Sequence, residues 1–123
     1  MSIVLWVVQV LLAALFLVSG ATKLSQPKEK LVKNLAWVED FSQPTVYIIG
    51  ALEVLGAIGI VVPELTGIVP WLTPLAALGL VLTMIGAALT HLRRAEYGYI
   101  AVPAVLLILA AFVAYGRFFV LPA

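Results

Sequence analysis

The chain has 123 residues, 64% of them hydrophobic types and only 11% charged, with a formal net charge of +1. Soluble domains carry about a quarter charged residues, so a surface wetted all round is excluded and the bilayer is the natural solvent. With no cysteine and a single histidine, the sequence also excludes disulfide scaffolds, thiol redox chemistry and thiolate or clustered-histidine metal sites.

A membrane-spanning helix needs about 20 mostly apolar residues, and four segments qualify. Residues 3–21 are apolar apart from Gln9 and Ser19, and predict a first helix over about 3–24. It is read as a retained span and not as a signal peptide, because its lysines follow the apolar run instead of preceding it. Residues 27–41 come next. Leu31, Val32, Leu35 and Val38 fall near one helical face there, with Lys28, Lys33 and Glu39 mostly away from it, which predicts a short amphipathic helix lying on the membrane surface.

The second span is expected at 45–62, interrupted by Glu53, with Ser42 as its cap and Pro44 in its first turn. Pro63, Pro70 and Pro74 bracket the turn to a third, uncharged span at about 71–92. The fourth is expected at about 98–120. Pro103 lies in its early turns, where it is tolerated or kinks the helix, and Arg117 lies near its end. Four spans account for most of the chain, so residues 1–123 read as one all-α domain, an integral membrane four-helix bundle. The sequence carries no repeats, phosphate loop, nucleophile elbow or basic–aromatic nucleic-acid surface; nucleic acid is not an expected partner.

Loop charge predicts orientation. The first loop carries Lys23, Lys28, Lys30 and Lys33 and the third Arg93 and Arg94, against Arg117 alone on the other side. The positive-inside rule then puts loops one and three in the cytoplasm and both termini outside, in the cytoplasmic (inner) membrane. Lys28, Lys30, Lys33, Arg93 and Arg94 are read as topology determinants touching lipid headgroups. Trp6, Trp71, Tyr115, Phe118 and Phe119 fall near the outer interface, and Tyr97 and Tyr99 near the inner one, where aromatic belts form.

Glu53 is the most informative residue. A carboxylate about 12 Å along a membrane helix is costly unless it faces the bundle and finds a partner. Gly50, Glu53, Ala57 and Ile60 share one stripe; Gln9, Ala13, Phe16, Gly20 and Lys23 share another; Gly79, Thr83, Gly86 and Thr90 make a third. Three such stripes converging give a close-packed bundle with a polar interior. Lys23 and His91 end the first and third helices on the side from which the second starts, so a cluster of Glu53, His91 and Lys23 is expected, with Gln9 deeper. The structural reading is that Glu53 anchors helices by hydrogen bonding, that Lys23 snorkels to lipid phosphate and that His91 caps its helix C-terminus.

These residues also carry a resemblance. Residues 19–24, SGATKL, resemble the end of the first helix in DoxX-like membrane proteins. Residues 49–59, IGALEVLGAIG, resemble their second-helix pattern. Residues 70–77, PWLTPLAA, and 86–94, GAALTHLRR, are similar to the opening and the exit of their third helix. The resemblance implies a four-helix membrane bundle. It implies less about activity, since some relatives are subunits of quinone-linked oxidoreductases, others resemble accessory or chaperone-like membrane proteins, and many have no assigned role.

Three functions remain. The first is a non-catalytic membrane module that binds a lipophilic small molecule, or a partner membrane protein, in a polar-lined interior. No cofactor motif is evident, and copies of the chain are expected to be able to associate laterally. The second is a subunit of a quinone-linked membrane oxidoreductase, with Glu53 and His91 transferring protons and a soluble partner supplying electrons. The third is a proton-coupled carrier using Glu53, although four helices are few for alternating access and no inverted repeat is seen.

Overall fold

The computed structural model describes residues 2–33 and 35–120, leaving out the side chains of Ser2 and Val120. Residue 34, inside the expected surface helix, and residues 1 and 121–123 lie outside it.

The elements in order are α1 (Ser2–Ser25), α2 (Lys28–Leu31), a 3-10 turn (Ala36–Asp40), α3 (Gln43–Gly59), α4 (Val62–Thr66), α5 (Leu72–Arg93), a second 3-10 turn (Tyr97–Ile100), α6 (Ala101–Tyr115) and a π turn (Gly116–Val120). Four stretches are long and apolar enough to cross a membrane: Ile3–Ser25, Gln43–Thr66, Leu72–Arg93 and Tyr97–Phe119. Successive spans run in opposite directions. One end of the bundle therefore gathers loops one and three with their lysines and arginines, and is called here the basic end. The far end holds the start of α1, the α4 turn and the end of α6. Side chains such as Ile3, Val18, Leu55 and Leu82 are more than half exposed on the outside, as a lipid-facing surface allows.

Local chemistry sets the helix ends. The Ser42 hydroxyl accepts from the Thr45 N–H at 3.3 Å, and Pro44 sits in the first turn of α3, where its missing N–H costs nothing. α3 stops at Gly59, earlier than the span to 62 read from hydropathy, because Pro63 cannot donate to the helix behind it. The chain restarts as α4 and ends on Gly67, whose φ of 73° closes the helix in the left-handed conformation. Pro103 is buried in the first turn of α6, again among N–H groups that a helix leaves unpaired.

The single surface helix expected over 27–41 is two short pieces instead. α2 spans one turn, Lys28–Leu31, the Leu35 N–H donates back to the Leu31 carbonyl at 2.7 Å, and a 3-10 turn follows over Ala36–Asp40. The apolar pattern is nonetheless used: Leu31 and Val38 are buried with Val46 of α3, and Val32, Leu35, Trp37 and Phe41 pack against them. The driving force is burial against the start of α3, which a short helix supplies for itself only weakly.

α1 packs most closely on α3, and α5 on α6; the two pairs meet less extensively through α3–α5 and α1–α6. The α1–α3 crossing is set by glycine. A Cβ added at Gly20 would stand 2.5 Å from the Gly50 carbonyl oxygen, and one at Gly50 would stand 2.9 Å from the Gly20 carbonyl oxygen. α3 and α5 touch near the far end, where Gly56 faces Leu80 and Gly59 faces Ala76. The core lies there too, built from Leu12, Phe16, Ile60, Leu80, Ala110 and Val113 among others.

The buried stripes of α1 and α3 are those read from sequence, with Ile60 of the second stripe just beyond the end of α3. The stripe of α5 is so only in part: Thr83, Gly86 and Thr90 of it face a cavity toward the basic end, while the close packing falls elsewhere. Thr73, Ala77, Leu80, Met84 and Thr90 are buried, whereas Gly79 and Gly86 have open space where a Cβ would go. Thr83 and Thr90 donate to the carbonyls of Gly79 and Gly86 in their own helix, so these hydroxyls do not bridge helices.

Candidate functional site

Toward the basic end the two helix pairs separate and leave a half-open cavity of about 810 Å³. α1, α3, α5 and α6 form its walls, and Leu35, Ala36, Trp37 and Phe41 of the first loop roof it.

One wall is polar. The Lys23 Nζ lies 2.7 Å from Glu53 Oε1, with the two side chains 7% and 4% exposed. Ser19, one turn before Lys23 on the same face of α1, accepts from Nζ at 2.6 Å and donates toward both Glu53 oxygens at 3.1 and 3.2 Å. The Gly20–Gly50 contact brings the two helices close enough for a short serine to reach. Lys23 also lies over the Trp37 ring, 5.7 Å from its centroid. The three groups satisfy one another, as a charged pair away from water requires.

His91 lines the same cavity but does not join that cluster. Its Nδ1 is 2.9 Å from Glu96 Oε1, and its ring stacks on Tyr99 at 5.8 Å. The turn after α5 explains this. Ala95 takes a left-handed φ of 58°, which folds the chain back so that the Glu96 N–H donates to the His91 carbonyl at 2.8 Å, and the Glu96 carboxylate returns to the ring. Sequence spacing could not anticipate this, since a left-handed alanine is uncommon.

Arg94 continues the network and ties loop three to loop one. It reaches Asp40 at 2.9 Å, Glu39 at 3.0 Å and Glu96 at 3.1 Å. Hydrogen bonding to Asp40, then Glu39 and Glu96, holds its guanidinium further above its already high pKa. The hydrogen bond from His91, aided by Arg94, holds Glu96 below the ordinary carboxylate range. Arg94 was expected at lipid headgroups; its guanidinium is engaged within the protein instead. Lys30, Lys33 and Arg93 are exposed at the basic end, Lys33 at the cavity, and the Lys28 N–H donates to the Gln43 side chain at 2.8 Å.

Gln9 belongs to a separate centre at the far end. It donates to the Ile60 carbonyl at 2.6 Å and accepts from Arg117 Nε at 2.9 Å. Arg117 also meets Glu64 at 2.8 Å, both side chains being less than a tenth exposed, and lies over the Trp6 ring. Ser19, Trp37, Glu96, and the pairing of Glu64 with Arg117 were not singled out as site residues from sequence. For the last pair a signal existed: Glu64 and Arg117 are lone charges on a side otherwise nearly free of them, and such charges seek each other.

Among the described residues no group of three His, Asp or Glu side chains is placed to hold a metal ion. What the cavity offers a ligand is a mostly apolar volume with a donor–acceptor wall at Ser19, Lys23 and Glu53, and an imidazole–carboxylate pair opposite. Residues 7–113 match the model of the DoxX-like family. No curated protein and no solved structure matches the chain.

Proposed function

The chain belongs to the DoxX-like family, and on that premise we propose that it is a non-catalytic membrane module holding a lipophilic small molecule in the cavity at its basic end. The observation that carries this reading is the cavity itself. About 810 Å³ lies within the usual range of small-molecule sites, which combine an apolar lining with a few convergent polar groups. Glu53, Lys23 and Ser19 would fix the polar part of the ligand. In this reading the basic end faces the cytoplasm from the inner membrane, with both termini outside, and the Lys and Arg bias of loops one and three supports that orientation.

A second reading has one specific support. Glu53 and His91 line one cavity from different helices, and the His91–Glu96 pair leads from it toward the basic end. A quinone bound there would have proton donors on two sides, as a quinone-linked oxidoreductase subunit with a soluble electron-donating partner needs.

Native mass spectrometry of the purified protein tests both. Wild type should carry a small lipophilic adduct that Glu53→Gln loses. Leu106→Trp, which fills the apolar wall and leaves the ion pair alone, should lose it as well. A redox-active quinone adduct would select the second reading. A wild type carrying only bulk lipid, with both variants unchanged, would return Glu53 to a structural anchor.

A further inference from the structure

A second, smaller hollow of about 220 Å³ runs along the lipid side of α3 and α5 toward the far end. Leu52, Leu55, Gly56, Ala76, Gly79 and Thr83 line it. Leu52 and Thr83 line the main cavity too, so the two hollows are neighbours with those two side chains between them. The groove exists because α5 presents Gly79 there, with nothing within 4 Å of where its Cβ would be. From Ala76 to Thr83 it extends about 10 Å by helix rise.

We infer that the ligand is a single-chain amphiphile drawn from the bilayer. Its neutral, hydroxyl-bearing head lies at Ser19, Lys23 and Glu53, and its hydrocarbon tail passes Leu52 and Thr83 into the groove between α3 and α5. The inference rests on the reading proposed above and adds the class of ligand. Three observations support it.

The first is direction: the polar wall lies toward the basic end and the groove toward the bilayer middle. An amphiphile in the leaflet at the basic end already has its head and tail in that order, and enters without turning over. The second is charge. Lys23 is matched by Glu53 at 2.7 Å, and Lys33, the other lysine on the lining, is exposed. A phosphate or carboxylate at the wall would displace Glu53 from Lys23 and leave a buried anion uncompensated, whereas a hydroxyl can donate to Glu53 with the pair intact. The third is the lining, since Leu52 and Leu55 are more than half exposed and the groove is open to lipid along its length.

A tail moving from lipid to groove gains no hydrophobic energy, because both are apolar; it gains packing. Selectivity for tail length should therefore be present but moderate. The experiment compares monocaprylin, monolaurin and monopalmitin at equal mole fraction in lipid nanodiscs, reading bound adduct by native mass spectrometry. Wild type should favour monopalmitin over monocaprylin about three- to tenfold. Gly79→Leu fills the groove on an exposed helix face with no clash, so it should fold. It should bind monocaprylin as wild type does and lose the tail-length preference.

Binding independent of tail length, or a preference that survives Gly79→Leu, would overturn the inference. So would lysophosphatidic acid binding more tightly than monopalmitin, which would replace the neutral head by a phosphate. If no monoglyceride binds while a different lipophilic adduct co-purifies, this inference fails and the proposed function stands. If wild type carries no specific adduct at all, both fail.

Discussion

Removing one member of the Lys23–Glu53 pair should cost far more than removing both. The two side chains are 7% and 4% exposed with nitrogen and oxygen 2.7 Å apart, so neither has water to fall back on. Breaking a buried pair from one side costs about 3–5 kcal/mol, while replacing both members by uncharged groups of like size is close to neutral. Ser19 reaches both partners and recovers part of the loss, which places Lys23→Met and Glu53→Gln at the lower end, about 3 kcal/mol each. The double variant should lie within about 1 kcal/mol of wild type, giving a coupling of about 5 kcal/mol by the arithmetic of the cycle. Unfolding in mixed micelles with increasing anionic detergent, followed by tryptophan fluorescence and far-ultraviolet circular dichroism, supplies the free energies. Trp37 adds a local reporter, because Lys23 lies over its ring and both lysine variants should change its emission. Single variants costing under about 1 kcal/mol, or costs that simply add within about 0.5 kcal/mol, would refute the claim that the pair is buried and mutually dependent.

Three other expectations follow from the same contacts. Gly20→Ala should destabilise by about 1–3 kcal/mol, because its Cβ would meet the Gly50 carbonyl at 2.5 Å; Gly86→Ala, with open space around it, should stabilise by about 0.5–1 kcal/mol through helix propensity, and thermal melts of the two beside wild type decide the matter. Arg117→Met should destabilise the far end and raise hydrogen exchange around Ile60 and Glu64, and adding Glu64→Gln should restore protection; an unprotected double variant would count against a paired far-end centre. For the Arg94 clasp, Glu96 has its pKa lowered in the folded protein, so its contribution is present above the ordinary carboxylate pKa and fades as pH falls through the lowered value. Hydrogen exchange over 36–41 should rise in that acid window for wild type, and Glu96→Gln should flatten that dependence.

Four spans were legible because length and apolarity decide them with little help from tertiary context. The inward stripes of α1 and α3 were legible because Gly20, Lys23, Gly50 and Glu53 leave each helix only one face that can meet protein. α5 misled in part for the opposite reason: with no charge before its last turn, the small residues Gly79, Thr83, Gly86 and Thr90 set the expected stripe, and bulk at Leu80 and Met84 won the core. Helix spacing and direction brought Lys23 and His91 alike to Glu53, and the structure pairs Glu53 with Lys23. His91 could not be placed, since its partner depends on the left-handed turn at Ala95, a backbone choice that residue type does not advertise. The break in the segment over 27–41 escaped periodicity because a bent chain can bury the same alternating residues as a straight one.

The two buried ion pairs also impose an order on biogenesis. Lys23 and Glu53 sit in successive spans, so that hairpin can neutralise its own charges before the third and fourth spans are made. Glu64 has no such luck. Its partner Arg117 arrives only with the fourth span, and Gln9 waits across 108 residues for the same guanidinium. A chain stalled or truncated before the fourth span is thus left with the Glu64 carboxylate without its Arg117 partner. That carboxylate is neutralised only once the fourth span has packed against the second.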